Sequence, residues 1–296
     1  MAGIICINKP KGFTSFDVVA KLRGILKMRR IGHAGTLDPM AEGVLPVFIG
    51  SATKACDMLP DHDKIYRAGF QLGLVTDTQD STGEIIAKSD FSDITEEGLE
   101  TVLGKFRGDI MQIPPMYSAV SVNGQRLYEL ARKGIEVERK PRPITVYSLK
   151  LLSFDAETGE GSLEISCSKG TYIRTLIHDI GTELRCGGIM TSLVRTSACG
   201  FTLDVCHTLD EISEAVKSGQ GFQSFVIPIE RVFGYLPQVH LNERQTEMYR
   251  NGVRLDASRL HGSPANGERA AVYGCDGIFL GIGVVCDGLL KVLKNF

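Results

Sequence analysis

The sequence predicts an α+β fold: a mixed, largely antiparallel sheet flanked by helices, followed by a small C-terminal β-rich module. Segments with a two-residue apolar period stand beside segments with a helical period, but without the regular strand–helix–strand alternation of a parallel sheet. Around residues 228–238 the pattern changes, and short glycine-punctuated strands follow it. The length of 296 residues suits one large domain with an appendage. The division expected is 1–230 for the main domain and 231–296 for the module.

The elements follow in order. Thr14 or Ser15 caps a helix over about 15–30, with Val18, Val19, Leu22, Ile25 and Leu26 as its apolar stripe and Arg23, Lys27 and Arg30 opposite. Residues 64–75 alternate, placing Tyr66, Ala68, Phe70 and Leu72 on one side of a strand. "TDTQDSTG" at 76–83 is a turn cluster, and Thr95 caps a second helix with Leu99, Val102, Leu103 and Phe106 inward. "QIPPMYSAV" is a proline-stiffened loop leading into a polar, basic segment, 118–142. "SLEISCS" at 162–168 alternates as a strand, and a helix from about 172 buries Ile173, Leu176, Ile177, Ile180 and Leu184. A further capped helix follows residue 208. The module holds a short polar helix at about 242–251, closed by Gly252, and the strands "AAVYG", "IFLGIGVV" and "LLKVL".

Composition narrows the function. Apolar residues make up 43% and charged residues 23%, the values of an ordinary globular protein. No apolar run approaches the ~20 residues of a membrane span. "MAGIICINKPKG" lacks the length and cleavage site of a secretory signal, so a cytoplasmic protein is expected. Eight scattered cysteines without a CxxC pair read as reduced thiols, and the six histidines lack metal-ligand spacing. The net charge of −2 argues against a polyanion partner, but its distribution does not. Residues 9–33 set seven lysines and arginines against the single Asp17, a local balance of +6. Residues 126–142 set six against three glutamates, a balance of +3. Either cluster alone reads as a solvated face; together they leave room for a polyanion groove.

Three segments concentrate reactive side chains. In "RRIGHAGTLDPMAEGVLP", Gly32 and Gly35 permit positive φ or close approach of a ligand, and Pro39 biases Asp38 toward extended backbone. Read alone, Asp38 is a turn or cap residue as readily as a catalyst, and Tyr66 a half-buried aromatic of its strand. In "SKGTYIRTLIHDIG", Arg174 stands in the first helical turn, where the dipole favours anions, so it needs a carboxylate or phosphate from elsewhere; Asp38 is one candidate. Phosphate-loop glycine motifs and the serine-hydrolase GxSxG are absent.

Taken together, "NKPKGFTSFDVV" (8–19), "GHAGTLDPMAEGVLP" (32–46), "DKIYRAGFQLGLVTDTQDSTG" (63–83), "QIPPMYSAVSVNGQRLYELARKG" (112–134) and "SKGTYIRTLIHDIG" (168–181) resemble one family, the bacterial TruB-type tRNA pseudouridine synthases. They occur in family order and span the main domain. The resemblance implies a pseudouridine-synthase fold with a PUA-like RNA-binding module at the C-terminus. It implies isomerisation of uridine 55 in the T-loop of tRNA to pseudouridine, without cofactor or metal, by a monomer whose partner is the T-arm and not DNA or a membrane. By motif match Asp38 is the catalytic carboxylate and Arg174 pairs with it. Tyr66 would stack on the flipped uracil and remove its C5 proton. His33 would support the space the base vacates, while Tyr172 and Leu193 would line the uridine pocket. The segment 118–142 would close over the T-arm, and the N-terminal cations would meet phosphates. Two rivals share these residues: a non-catalytic tRNA-binding or RNA-folding protein, and a synthase acting on another RNA.

Overall fold

In the computed structural model, which describes residues 2–122, 124–262 and 264–296, the alternation expected over 64–75 holds in the middle of a nine-stranded sheet only to Leu72. Gly73 turns at φ 83°, and the next residues join a separate two-stranded sheet. In chain order the strands of the main body are β1 (Gly3–Lys9), β2 (Ile31–His33), β3 (Glu42–Ile49), β4 (Lys64–Leu72), β5 (Leu74–Thr76), β6 (Ile85–Lys88) and β7 (Gly108–Gln112). They continue with β8 (Ser121–Val122), β9 (Gln125–Arg126), β10 (Arg142–Phe154), β11 (Glu160–Cys167), β12 (Gly188–Ala198) and β13 (Phe201–Thr202). The sheet runs β1-β3-β12-β4-β11-β10-β7, with β2 added on β3 and β13 on β12. Its pairings are antiparallel except for a short parallel contact of β12 with β3, at Val194–Glu42 and Arg195–Gly43.

The five main helices and their caps explain where chain direction reverses. Helix α1 (Ser15–Leu26) opens on a capping box: the Thr14 hydroxyl accepts from the Asp17 amide at 3.0 Å, and Asp17 accepts in return from the Thr14 amide at 2.8 Å. It stops four residues short of the predicted end because Lys27 turns left-handed at φ 53°, so Arg30 lies off the helix. Helix α2 (Glu96–Lys105) is capped by Thr95, as expected. The segment 118–142 is not a plain polar loop. It holds the hairpin β8–β9 and helix α3 (Leu127–Ala131), which buries Leu127 and Leu130. Helix α4 (Ile173–Glu183) buries Ile173, Leu176, Ile177 and Ile180, and α5 (Leu209–Lys217) opens on a second capping box at Thr208.

Two apolar layers cover the sheet's β1–β3 edge. Ile5, Ile7, Leu45, Val47 and Ile49 pack under α1 and α5 with Val18, Leu22 and Ile212. Ile4, Cys6 and Phe48 pack on the other face with Ile229 and Phe233. At ~25 cal/mol per Å² of apolar area, such two-sided burial is the main stabilising term for this edge. On the other half, Tyr66, Phe70, Leu163, Ile165, Leu176 and Ile180 form the core between the sheet, α2 and α4.

The C-terminal part forms its own five-stranded sheet from β14 (Gln238–His240), β15 (Leu255–Asp256), β16 (Arg269–Tyr273), β17 (Phe279–Cys286) and β18 (Leu289–Asn295), with helix α6 (Glu243–Arg250) capped by Asn242. Gly252 closes that helix at φ 78°, as the sequence predicts. The second sheet docks through stacked rings: Phe233 lies 6.3 Å from Phe279 and 5.8 Å from Phe296. Lys54 Nζ donates to the Asn295 carbonyl at 2.9 Å across the same junction.

Candidate active site

The Asp38 loop leaves β2 and returns into β3, and nearly all its anchors are polar. Leu37 is buried, and its backbone is bracketed by one side chain of α1: the Leu37 amide donates to Ser15 Oγ at 2.8 Å, and that hydroxyl donates to the Leu37 carbonyl at 3.2 Å. The Ala41 amide donates to the Asp38 carbonyl at 3.1 Å, closing a turn with Pro39 at its second position, where a fixed φ favours it. The Pro39 carbonyl accepts from the Gly12 amide at 2.7 Å.

Two buried cations complete the cradle. Lys9 Nζ donates to the carbonyls of Phe13 at 2.6 Å, Pro10 at 3.0 Å and Pro39 at 3.4 Å. Burial pushes this amine down to about 8, against the pull of the nearby Asp38 charge. Arg195, fully buried on β12, donates from Nε to the Val44 carbonyl at 2.8 Å and from Nη2 to the Gly35 carbonyl at 3.0 Å. Gly35 takes the positive φ that the sequence permits, and both it and Gly43 lie against Arg195. A Cβ on Gly43, at φ 104°, would sit 2.2 Å from the Arg195 carbonyl, whereas at Gly35 there is room and the φ of 78° is what favours glycine. Gly32 pairs with Phe48 in regular strand geometry without a positive φ.

Arg174 and Asp38 meet. Arg174 Nε lies 3.0 Å from Asp38 Oδ2, and the guanidinium is only 6% exposed while the carboxylate is 38% exposed. The remaining Arg174 donors reach the carbonyls of Tyr117 at 2.9 Å and Thr78 at 3.1 Å, with Asp80 Oδ2 at 3.6 Å. The buried charge therefore has two carboxylates and two carbonyls, the satisfaction such burial requires. One carboxylate oxygen of Asp38 takes no hydrogen bond from the described residues and remains available at the surface of the loop.

The other predicted residues surround this pair. Tyr66 is buried on β4 directly across from Arg195 on β12, and Leu193 stands two residues away opposite Ala68. Burial pushes the Tyr66 phenol up to about 12, while the Arg195 charge pulls the other way. Tyr172 is the N-terminal flank of α4, held by Gln112: its amide donates to Gln112 Oε1 at 2.9 Å, and Gln112 Nε2 donates to its carbonyl at 3.1 Å. Burial also raises the Tyr172 phenol. His33, at the end of β2, has a buried Nδ1 without a partner, and burial together with the Arg195 charge lowers its imidazole below the usual value.

Sequence reasoning missed Arg195, Gln112 and Asp80, and it counted Lys9 among the cations facing phosphates, whereas the structure buries that amine on three carbonyls. Arg195 stands in "TSLVRTSA", a stretch too polar to mark it as buried, so the sequence carries little signal for it. Asp80 carried none beyond its turn: Thr78 Oγ1 donates to its Oδ1 at 2.8 Å and the Thr82 amide at 2.9 Å, contacts any Asx turn makes.

Comparison with known proteins gives one answer along the chain. Residues 23–173 match the TruB family pseudouridylate synthase N-terminal domain, and residues 174–233 match the tRNA pseudouridylate synthase B C-terminal domain. Residues 237–293 match the C-terminal domain of pseudouridine synthase II TruB. The tRNA pseudouridine synthase B of Lachnoclostridium phytofermentans is 46% identical over 292 residues, 95% of this chain and 94% of that one. That of Clostridium kluyveri is 42% identical over 297 residues, all of both chains. Among solved structures, a chain of a Cbf5-Nop10-Gar1 complex superposes with a TM-score of 0.73 at 26% identity, covering 99% of this chain and 84% of that one.

Proposed function

Because the chain belongs to the TruB family of pseudouridylate synthases, we propose that it isomerises uridine 55 in the T-loop of tRNA to pseudouridine, with Asp38 as the catalytic carboxylate. The observation that carries this reading is the Arg174–Asp38 ion pair, which orients an exposed carboxylate from a buried guanidinium at 3.0 Å.

The reaction is an isomerisation. The N1–C1′ bond of uridine breaks, the uracil turns, C5 joins C1′, and the proton lost from C5 is balanced by one gained at N1. A base within the folded T-loop is out of reach, so it leaves the stack and enters the pocket of Tyr66, Tyr172 and Leu193. His33, neutral through burial, supports the space left behind. Asp38, with one oxygen held by Arg174 and the other unbonded, acts on the flipped nucleoside. Tyr66 stacks on the uracil and takes the C5 proton. Its buried phenol is protonated at neutral pH, so its own proton passes to N1 of the uracil as the C5 proton arrives, which leaves the phenol as it began, and the adjacent Arg195 charge eases the loss.

In this reading residues 1–230 carry the chemistry, with 118–142 closing over the T-arm, and 231–296 serve as a PUA-like RNA-binding module of a cytoplasmic monomer. Arg174 ties the clamp to the site, since it donates to the Tyr117 carbonyl just before that segment. Among the described residues, no helix is long and apolar enough to cross a membrane.

The test sets wild type beside Asp38→Asn on a T-arm stem-loop, with pseudouridine detected by specific derivatisation. Wild type is expected to convert the hairpin, and the variant to lose roughly 10³-fold or more of the rate while binding the RNA as before. Binding without conversion by wild type would leave only an RNA-binding protein. Equal conversion of an anticodon hairpin would move the reaction to another RNA.

A further inference from the structure

Of the thirteen phenylalanines, Phe16 alone is exposed, at 64%. It lies outside the buried stripe of α1, which consists of Val18, Val19, Leu22 and Leu26, so the fold gains nothing by placing an aromatic there. Its neighbour Ser15 brackets the Leu37 backbone, and Asp38 is the next residue along the loop. Phe16 thus stands one residue from the contact between α1 and the catalytic loop, with Asp38 one residue away on the other side.

One cation covers the ring, and others stand on the same segment. The Arg23 guanidinium lies over it, 5.9 Å from the centroid, and is tethered in turn by donating to the Ile31 carbonyl at 3.1 Å. Lys21 lies over the Phe13 ring at 5.3 Å, and Lys11, Lys27, Arg29 and Arg30 are exposed around the same helix. An aromatic ring among cations is the pairing by which proteins hold single-stranded nucleic acid: bases stack on the ring and phosphates meet the charges. Ile85 and Ile86 on β6, comparably exposed, are aliphatic and offer no ring to a base.

We propose that Phe16 is a base-stacking platform for an unpaired nucleotide of the RNA substrate flanking the flipped one, with Arg23 covering one face of the ring and the nucleotide the other. This rests on the reading of the site as an RNA-modifying centre. Removing one base from its stack frees its neighbours to splay, and an aromatic beside the catalytic loop is where a splayed neighbour finds a partner.

The chain contains no tryptophan, so Phe16→Trp places a single indole at this point. Titration with a T-arm stem-loop is expected to quench its emission, and a fully paired duplex of the same stem is not. Phe16→Ala is expected to raise Kd for the stem-loop roughly tenfold, with Phe16→Trp restoring it, while Ile86→Ala leaves Kd unchanged. Tight binding by Phe16→Trp without quenching, or wild-type affinity in Phe16→Ala, overturns the proposal. Quenching is read without turnover, so failure of wild type to form pseudouridine would remove the catalytic reading and leave this one standing.

Discussion

The Asp38 loop and the C-terminal sheet are held by opposite means. The loop hangs from buried polar groups: Lys9 on three carbonyls, Arg195 on two, Ser15 on the Leu37 backbone and Arg174 on Asp38 itself. The C-terminal sheet closes on Val239, Tyr249, Val272 and Leu290, and docks through the rings of Phe233, Phe279 and Phe296. Hydrogen bonds fix direction, whereas apolar burial fixes proximity. A carboxylate held in one orientation needs the first kind of support; a sheet held only in proximity is served by the second.

The largest expected effect contrasts the two supports. Arg195→Met strands the Val44 and Gly35 carbonyls and should cost about 2–5 kcal/mol of stability together with most of the activity. Phe233→Ala should cost a similar amount, about 3–5 kcal/mol, through the cavity it leaves. Its kcat on a stem-loop should nevertheless stay within about twofold, because the sites are independent. Denaturant melts beside single-turnover rates decide this, and equal loss of kcat in both variants would break the comparison.

A smaller effect comes from pH. Below about pH 10, Tyr66 holds its proton folded and unfolded alike. Between 10 and about 12 only the folded protein keeps it, so stability falls as pH rises, by up to about 2–3 kcal/mol. Tyr66→Phe should flatten that part of the curve; an unchanged alkaline slope would show that the phenol is not held in this way. The smallest effect is electrostatic. Log K for a T-arm hairpin should fall linearly with log salt, and Lys11→Gln or Arg29→Gln should each reduce the slope by about one phosphate contact, near 0.9. A flat response would remove the N-terminal cations from RNA binding.

The same contrast decides what could be read in advance. Helix starts at Thr14, Thr95, Thr208 and Asn242 were legible, because a cap acts within three residues of itself. Strand β4 was legible because only one of its faces is buried. Strands β1 and β3 were not, since Ile5 and Ile7 face one apolar layer while Ile4 and Cys6 face the other, which erases the alternation. Within the site, Asp38, Tyr66 and Arg174 were found through motifs. Arg195 was passed over because its partners Gly35 and Val44 lie 160 and 151 residues away, and carbonyls have no residue type by which to be recognised.

The two-sided burial of β1 bears on how the chain is made. Its partners include the backbone of His207, bonded to Cys6 and Asn8, and of Ile227, bonded to Ile4. At about 5–20 residues per second, more than ten seconds separate synthesis of this strand from that of its last neighbours. Strand β3 can pair with it early, but the Ile4 and Cys6 face stays without its Ile229 and Phe233 cover until those late residues arrive. Substitutions that weaken the late contacts of Ile227 or His207 are therefore expected to leave this face uncovered and to show as aggregation as well as loss of stability.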